Sequence, residues 1–151
     1  MYLDPKNPYS DLSSFVTFRM ARTQNKLNAQ ATAILKSKSS LSLVEWRIIM
    51  LSRLYDGASM SRIAAEVQMD KGQLSRKIAA MTKKGLIYTQ PDEKDHRIQQ
   101  LHLTEQAQAI ANVMEPIMRR RQEKLVEGVD AAELEAFFRV LDQIEVASES
   151  R

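Results

Sequence analysis

The sequence predicts a mostly α protein with one small β-hairpin, and three observations carry that expectation. Good helix formers dominate, and only four glycines and four prolines stand among 151 residues, too few for an all-β chain with many tight turns. Apolar residues recur at helical spacing through six stretches of the chain, each with a face to bury. Between the fourth and fifth stretches stand two β-prone runs, Leu86–Gln90 and Ile98–Leu103, around the polar segment Pro91-Asp92-Glu93-Lys94-Asp95. Two such runs around a charged loop read as a hairpin with an extended tip.

Taken in order, Leu12, Phe15, Val16, Met20, Leu27, Ala31, Ile34 and Leu35 place a long first helix over Asp11 to about Ser37, of the length used for dimer struts. Ser42 with Glu45 forms a capping-box pattern for a second helix, whose apolar face would carry Leu43, Trp46, Ile49, Met50 and Leu54 before Asp56-Gly57 stops it. Ser61 is the expected cap of a short third helix containing Ile63, Ala64 and Val67. Asp70 caps a fourth, with Gln73 placed for a reciprocal bond, Leu74, Ile78 and Met81 turned inward, and Gly85 beyond its end. Thr104 opens a fifth helix to about Glu127, apolar at Ala107, Ile110, Ala111, Met114, Ile117, Met118 and Leu125, with an expected irregularity at Pro116. Asp130 and Glu133 open a sixth, faced by Leu134, Phe137, Phe138, Leu141 and Ile144.

Composition narrows the chemistry. Without cysteine there are no disulfides, thiolate metal sites or thiol-oxidation sensors. His96 and His102 are too few for a zinc site of their own, so no metal or cofactor is expected. No apolar run approaches a membrane span, and Met1–Ser10 lacks a basic-then-apolar signal pattern, so a cytoplasmic location is expected. The net charge of +3 is unevenly spread: residues 1–58 carry +4, residues 59–104 carry +3 and residues 105–151 carry −4. A basic front and an acidic rear suit a molecule that turns one side to a polyanion, although ordinary surface variation produces such splits too.

The most informative unit is helix, short turn (Gln68-Met69-Asp70), helix, then hairpin: a winged helix-turn-helix. The fourth helix would be its recognition helix, with Lys71, Gln73, Ser75, Arg76 and Lys77 on the outward face. Gln and Arg can read adenine and guanine edges in a major groove, while Lys and Ser hold phosphates. Taken alone, those residues would more often be a solvated polar face. The hairpin changes the balance, because Lys94, His96 and Arg97 near its tip form a wing able to reach an adjacent minor groove or backbone.

These residues resemble the MarR family of winged helix-turn-helix transcriptional regulators. The resemblance lies in Asp70-Lys71-Gly72-Gln73-Leu74-Ser75-Arg76, Met81-Thr82-Lys83-Lys84-Gly85-Leu86-Ile87, Pro91-Asp92, and above all Asp95-His96-Arg97 followed by Leu103-Thr104, and it extends over about residues 11–146. It implies a sequence-specific regulator of transcription, most often a repressor. It also implies a homodimer on a palindromic double-stranded DNA operator, and a pocket for a small, aromatic or acidic effector. By position, Asp95 would brace the wing and Arg97 contact DNA, with Gly72 among the DNA-facing residues. Arginine is frequent in the family where Thr89, Gln90 and His96 stand here; His96 gives the wing a titratable group or is a solvated loop residue.

The expected organisation is a winged helix-turn-helix lobe over 41–104 and a helical dimerisation region formed by 1–40 and 105–151, with Leu12, Phe137, Phe138, Leu141 and Ile144 at the dimer contact. Phe15, Arg19, Arg22, Trp46, Met114 and Met118 are the candidates for an effector pocket, each with a structural alternative; Trp46 in particular has core spacing. Arg119-Arg120-Arg121 suits salt bridges to a second subunit, with Glu133 or Glu135 as partners, better than DNA. An enzyme is not expected, since Arg19, Arg22 and a carboxylate are generic and no phosphate loop, metal set or nucleophile–base pair accompanies them. A winged helix that docks a protein would present a more apolar recognition face than Lys71, Gln73, Arg76 and Lys77.

Overall fold

Side-chain caps and left-handed residues cut the chain into its elements in the computed structural model, which describes residues 12–150. Asp11 and Met1–Ser10, on which two of the sequence expectations fall, lie outside the described residues. In place of one helix from Asp11, a 3₁₀ turn at Leu12–Ser14 precedes α1 (Val16–Lys38), with Phe15 extended between them at φ −73° and ψ 127°. The adjacent serines explain the break, because short hydroxyl side chains compete for local backbone groups.

Next comes α2 (Leu43–Leu54), opened by the full capping box: Ser42 Oγ accepts from Glu45 N–H at 3.1 Å, and Glu45 Oε1 accepts from Ser42 N–H at 2.9 Å. Its buried stripe is Glu45, Trp46, Ile48, Ile49 and Ser52, whereas Leu54, expected inside, is 70% exposed. Two polar side chains lie in the stripe, so apolar residues alone place its centre wrongly. Gly57 then turns the chain at φ +72°, a left-handed value that costs glycine nothing.

The cap of α3 (Met60–Val67) is Ser59, not Ser61: its Oγ accepts from Arg62 N–H at 3.2 Å, which starts the helix two residues early. Gln68 takes the left-handed conformation at φ 56° and ends α3, with Met69 N–H bonded back to Ala64 C=O. Asp70 caps α4 (Lys71–Lys83), accepting from Gln73 N–H at 2.8 Å, without the return bond from Gln73. Leu74, Ile78 and Met81 are buried as expected, and Gly85, at φ +74°, turns the chain out of the helix.

Strands β1 (Ile87–Pro91) and β2 (Gln99–Leu103) pair antiparallel, each starting one residue later than expected. The register sets Ile87 opposite Leu103 and Thr89 opposite Leu101 on one face, Tyr88 opposite His102 and Gln90 opposite Gln100 on the other. Ile87, Leu101 and Leu103 are buried, so the first face packs inward. The hairpin is also sewn to the connection between α2 and α3, by a bridge between Ser59 and Gln100 and by Leu101 N–H donating to Ala58 C=O at 2.9 Å. Thr104 Oγ1 donates to Gly85 C=O at 2.6 Å and accepts from Ala107 N–H at 3.1 Å, joining the end of α4 to the start of α5 (Glu105–Leu125).

The chain divides after Met114 into two compact units, with Pro116 inside α5 just beyond the division. In the first, Leu35, Ile48, Ile49, Ile63, Leu74, Met81, Ile87, Leu101 and Met114 are fully buried, each contributing about 1.5–3 kcal/mol of hydrophobic stabilisation. The second holds the rest of α5 and α6 (Ala131–Ser148), which Asp130 caps through Glu133 N–H at 2.9 Å. None of α6 is buried; Phe137 and Phe138 are more than half exposed.

One polar contact fixes the lobe. Glu45 is 1% exposed, and its Oε2 accepts from Lys84 Nζ at 2.7 Å, joining the first turn of α2 to the end of α4. Burial pushes this carboxyl up, but the bonds from Lys84 and from Ser42 outweigh it and hold it below the ordinary glutamate range. A depressed folded value means the contact stabilises above the ordinary glutamate pKa and is lost as pH falls through the folded one. Lys84→Ala leaves the buried carboxylate short of a donor and is expected to cost about 1–3 kcal/mol near neutral pH. In urea titrations the deficit should shrink as pH is lowered through the acid range; a deficit independent of pH would show that the charge is not its source.

Candidate nucleic-acid interface

The candidate interface combines the outer face of α4 with the tip of the hairpin. Lys71, Gly72, Gln73, Ser75 and Arg76 are exposed and Lys77 is half-buried, all on the side away from Leu74, Ile78 and Met81. The first turn of α4 adds backbone N–H groups and the positive end of a helix dipole, which favour an anion. Gly72 leaves room for the Asp70 cap: a Cβ there would stand 3.2 Å from Asp70 Oδ1. Gln73, Arg76 and Lys77 together line a shallow hollow with Met69 and Ala80.

At the hairpin tip Asp92 is the organising residue. Its Oδ2 accepts from the N–H groups of Lys94 and Asp95, both at 3.0 Å, and its Oδ1 accepts from Gln100 Nε2 at 2.8 Å. Two backbone bonds close the loop, Asp92 N–H to Ile98 C=O at 2.8 Å and Ile98 N–H to Asp95 C=O at 2.9 Å. Within this frame Asp95 grips Arg97: Oδ1 accepts from Nε and Oδ2 from Nη2, both at 3.0 Å, and Oδ1 also accepts from Arg97 N–H at 3.1 Å. The Arg97 side chain is 90% exposed, so the pair aims a guanidinium at solvent without covering it.

The three charges shift together. Backbone N–H of Asp95, the Gln100 amide and backbone N–H of Lys94 hold the Asp92 carboxyl below the usual carboxylate range. The Arg97 guanidinium and N–H do the same for Asp95, whose carboxylate raises Arg97 in turn. Depressed carboxyls keep the loop braced at all pH values above the ordinary carboxylate range and release it only in stronger acid. Lys94 and His96 are exposed beside Arg97.

The interface residues expected from sequence thus fall into two groups, Lys71 to Lys77 on α4 and Lys94 to Arg97 on the hairpin. Asp95 holds the side chain and backbone N–H of Arg97, and the loop is braced as well by Asp92, to which sequence reasoning gave no role. The signal was present in Asp92 two residues before Lys94, a spacing at which an Asp carboxylate bonds backbone N–H groups ahead of it. Gln100 was missed as well, because its role depends on strand register.

The expected effector residues differ in exposure. Trp46 and Met114 are buried in the core, Arg19 and Arg22 are exposed on α1, Phe15 is half-buried, and Met118 lies in the second unit. A cleft of about 430 Å³ opens between the end of α1 and α5, lined by Lys38, Ser39, Ser40, Ile110, Val113 and one of the expected residues, Met114. In the second unit Arg119 bonds Glu115 on its own helix at 2.9 Å.

Asp92→Ala is expected to speed amide hydrogen exchange at Lys94 and Asp95 by about tenfold or more while leaving Ile63 and Leu74 protected. Unchanged exchange at both amides would remove Asp92 as the brace.

Residues 39–98 match the model of the MarR family. Among solved structures, the chain is similar to a MarR/EmrR family transcriptional regulator from Acinetobacter sp. ADP1, with a TM-score of 0.85 at 23% identity over 92% of this chain and 98% of that one. It is similar to S. aureus MepR, solved as a DNA complex, with a TM-score of 0.82 at 16% identity over 89% and 97% of the two chains. It is also similar to PcaV of Streptomyces coelicolor, solved with its natural ligand, with a TM-score of 0.75 at 16% identity over 92% and 97%. Residues 39–98 thus match the MarR family model, and the chain has the fold of MarR-family transcriptional regulators.

Proposed function

We propose that the protein is a sequence-specific regulator of transcription that binds double-stranded DNA as a homodimer. The observation that carries this reading is the pairing of an exposed Gln73, Ser75 and Arg76 face on α4 with a preformed wing that holds Arg97 out to solvent. In this reading α4 enters the major groove, Gln73 and Arg76 meet base edges, Lys71, Ser75 and Lys77 meet phosphates, and Arg97 enters the adjacent minor groove with Lys94 and His96 on its flanks. The DNA-bound state of the MepR structure supports it, as does the basic charge of residues 1–104 against the acidic 105–151.

Homodimerisation is the role proposed for the apolar residues left outside the core. Leu12, Phe137 and Phe138 are all more than half exposed, with Leu141 and Ile144 half-buried on α6. In this reading the dimerisation region comprises 1–40 and 105–151, and the DNA-reading lobe 41–104. Two lobes then meet half-sites of a palindrome about 34 Å apart, and occupancy blocks transcription. The cleft beside Lys38 is the proposed seat of an effector, its apolar walls and rim ammonium suiting a small aromatic or acidic compound; PcaV, solved with its natural ligand, is a precedent for ligand binding on this fold. A compound that prefers a lobe spacing unsuited to the operator would release DNA by its differential affinity for the two states.

Fluorescence anisotropy against the upstream DNA of its own gene and a scrambled duplex, at two salt concentrations, tests the reading. Native DNA is expected to bind about 10³-fold more tightly with a steep salt slope; no salt-dependent binding to either duplex would overturn it. Arg97→Ala should weaken binding to both duplexes and lower the salt slope by about one unit. Arg76→Ala should instead cost about 1–3 kcal/mol on the native duplex only; equal losses on both would remove Arg76 from base reading. Phe137→Asp with Phe138→Asp is expected to yield monomers by sedimentation and to weaken operator binding about tenfold or more. A doubly substituted protein that still sediments as a dimer would place the subunit contact elsewhere.

A further inference from the structure

The outer face of the hairpin carries a series of polar side chains that run away from the proposed DNA contacts. Asp92 Oδ1 accepts from Gln100 Nε2 at 2.8 Å, Gln100 Oε1 lies 3.3 Å from His102 Nε2, and His102 Nδ1 lies 3.2 Å from Asp56 Oδ1. One end is the residue that braces the tip; the other is the connection between α2 and α3. The imidazole is held firmly. Tyr88 stacks on it with ring centroids 5.3 Å apart, and a Cβ on Gly57 would stand 3.4 Å from His102 Cε1 and 3.5 Å from Gln100 Oε1. The bridge between Ser59 and Gln100 fixes the backbone beneath.

Counting donors gives the series its meaning. An ionised Asp92 only accepts, so Gln100 must turn its NH₂ toward it, which leaves the amide oxygen facing His102. Asp56, at the opposite ring nitrogen, is a carboxylate and only accepts as well. A neutral imidazole has one N–H for these two acceptors, whereas an imidazolium has two. In the neutral ring one nitrogen lone pair faces an oxygen, and the contact to Gln100 or to Asp56 is lost. We propose that Gln100 is a positioning residue for the wing and that protonation of His102 completes its anchorage, so that the tip is held more firmly and DNA is bound more tightly as pH falls from 8 to 6.

The surroundings agree with that direction. Strand β1 contributes Tyr88 to the imidazole and the connection between α2 and α3 contributes Asp56. Of the cations on the two helices packed on β2, Arg47 and Arg53 of α2 donate to Asn28 and Asn112, and Arg62 of α3 lies over the Tyr55 ring, 3.9 Å from its centroid. Imidazole is the side chain that gains its charge in this pH range, while Asp92 and Asp95, held below the usual carboxylate range, stay ionised throughout it.

The affinity half of this inference rests on the DNA-binding reading, and the test separates the two. A second histidine, His96, stands at the tip, so H96Q is the background. Without DNA, the Gln100 side-chain NH₂ resonances of H96Q are expected to move with the His102 ring signals on one shared midpoint, and the Lys94 and Asp95 amides to exchange about two- to fivefold more slowly below it, the size of one exposed charged contact. At fixed ionic strength, operator affinity should rise about two- to fivefold from pH 8 to pH 6 in H96Q and stay level in H96Q/H102Q and H96Q/Q100A. Gln100 signals that ignore the His102 titration would overturn the series. An equal pH response in all three proteins would overturn its link to binding. Shared titration in a protein that binds no DNA supports the anchorage and overturns the DNA reading alone.

Discussion

A carboxylate sealed inside a small lobe has to find donors for its oxygens, and Glu45 finds them on two elements far apart in sequence. Its Oε1 closes the capping box of α2 with Ser42, and its Oε2 takes the Lys84 ammonium just past the end of α4. An unpaired charge at that depth would cost several kcal/mol, so α4 cannot swing away from α2 without exposing the lobe to that cost. Leu74, Ile78 and Met81 hold the inner face of α4 by area, which is tolerant of small rotations; the Glu45–Lys84 contact is directional and removes that tolerance. Thr104, bonded to Gly85 C=O, carries the constraint into the hairpin, so the two halves of the interface share one anchor.

The hairpin tip follows the same logic with exposed groups. A loop of seven residues bearing Lys94, His96 and Arg97 would pay conformational entropy on docking if it were loose. Asp92 removes most of that cost beforehand by taking two backbone N–H groups and the Gln100 amide. Asp95 then holds the exposed Arg97 guanidinium.

Much of this was legible in the sequence, and the misses share a physical origin. The six helices, the hairpin, the caps at Ser42, Asp70, Thr104 and Asp130, and the inward face of α4 all follow from local periodicity and turn chemistry. The errors arise where tertiary contacts override local signals. Ser59 outcompetes Ser61 as a cap because β2 pairs with Ser59, a partner invisible from the neighbouring residues. Glu45 is buried because Lys84, thirty-nine positions away, makes a charge acceptable inside. Trp46 has the spacing of a core residue and is one, and of the effector candidates Met114 lines the cleft between α1 and α5, whose walls depend on how those helices pack. In the wing, motif reasoning gave roles to Arg97 and Asp95 but none to Asp92 or Gln100, whose bond to each other depends on strand register.

The Asp95–Arg97 pair sharpens what the wing can do on meeting a polyanion. An ion pair this exposed contributes little to stability. Arg97 can therefore exchange one carboxylate oxygen for a phosphate or a base edge at small cost, while its N–H contact to Asp95 keeps the backbone aimed. If Asp95 were more deeply buried the pair would be too costly to open; without it the guanidinium would sample many rotamers before finding a groove. The arrangement is that of a group held ready and weakly committed, which is what association with a charged groove requires.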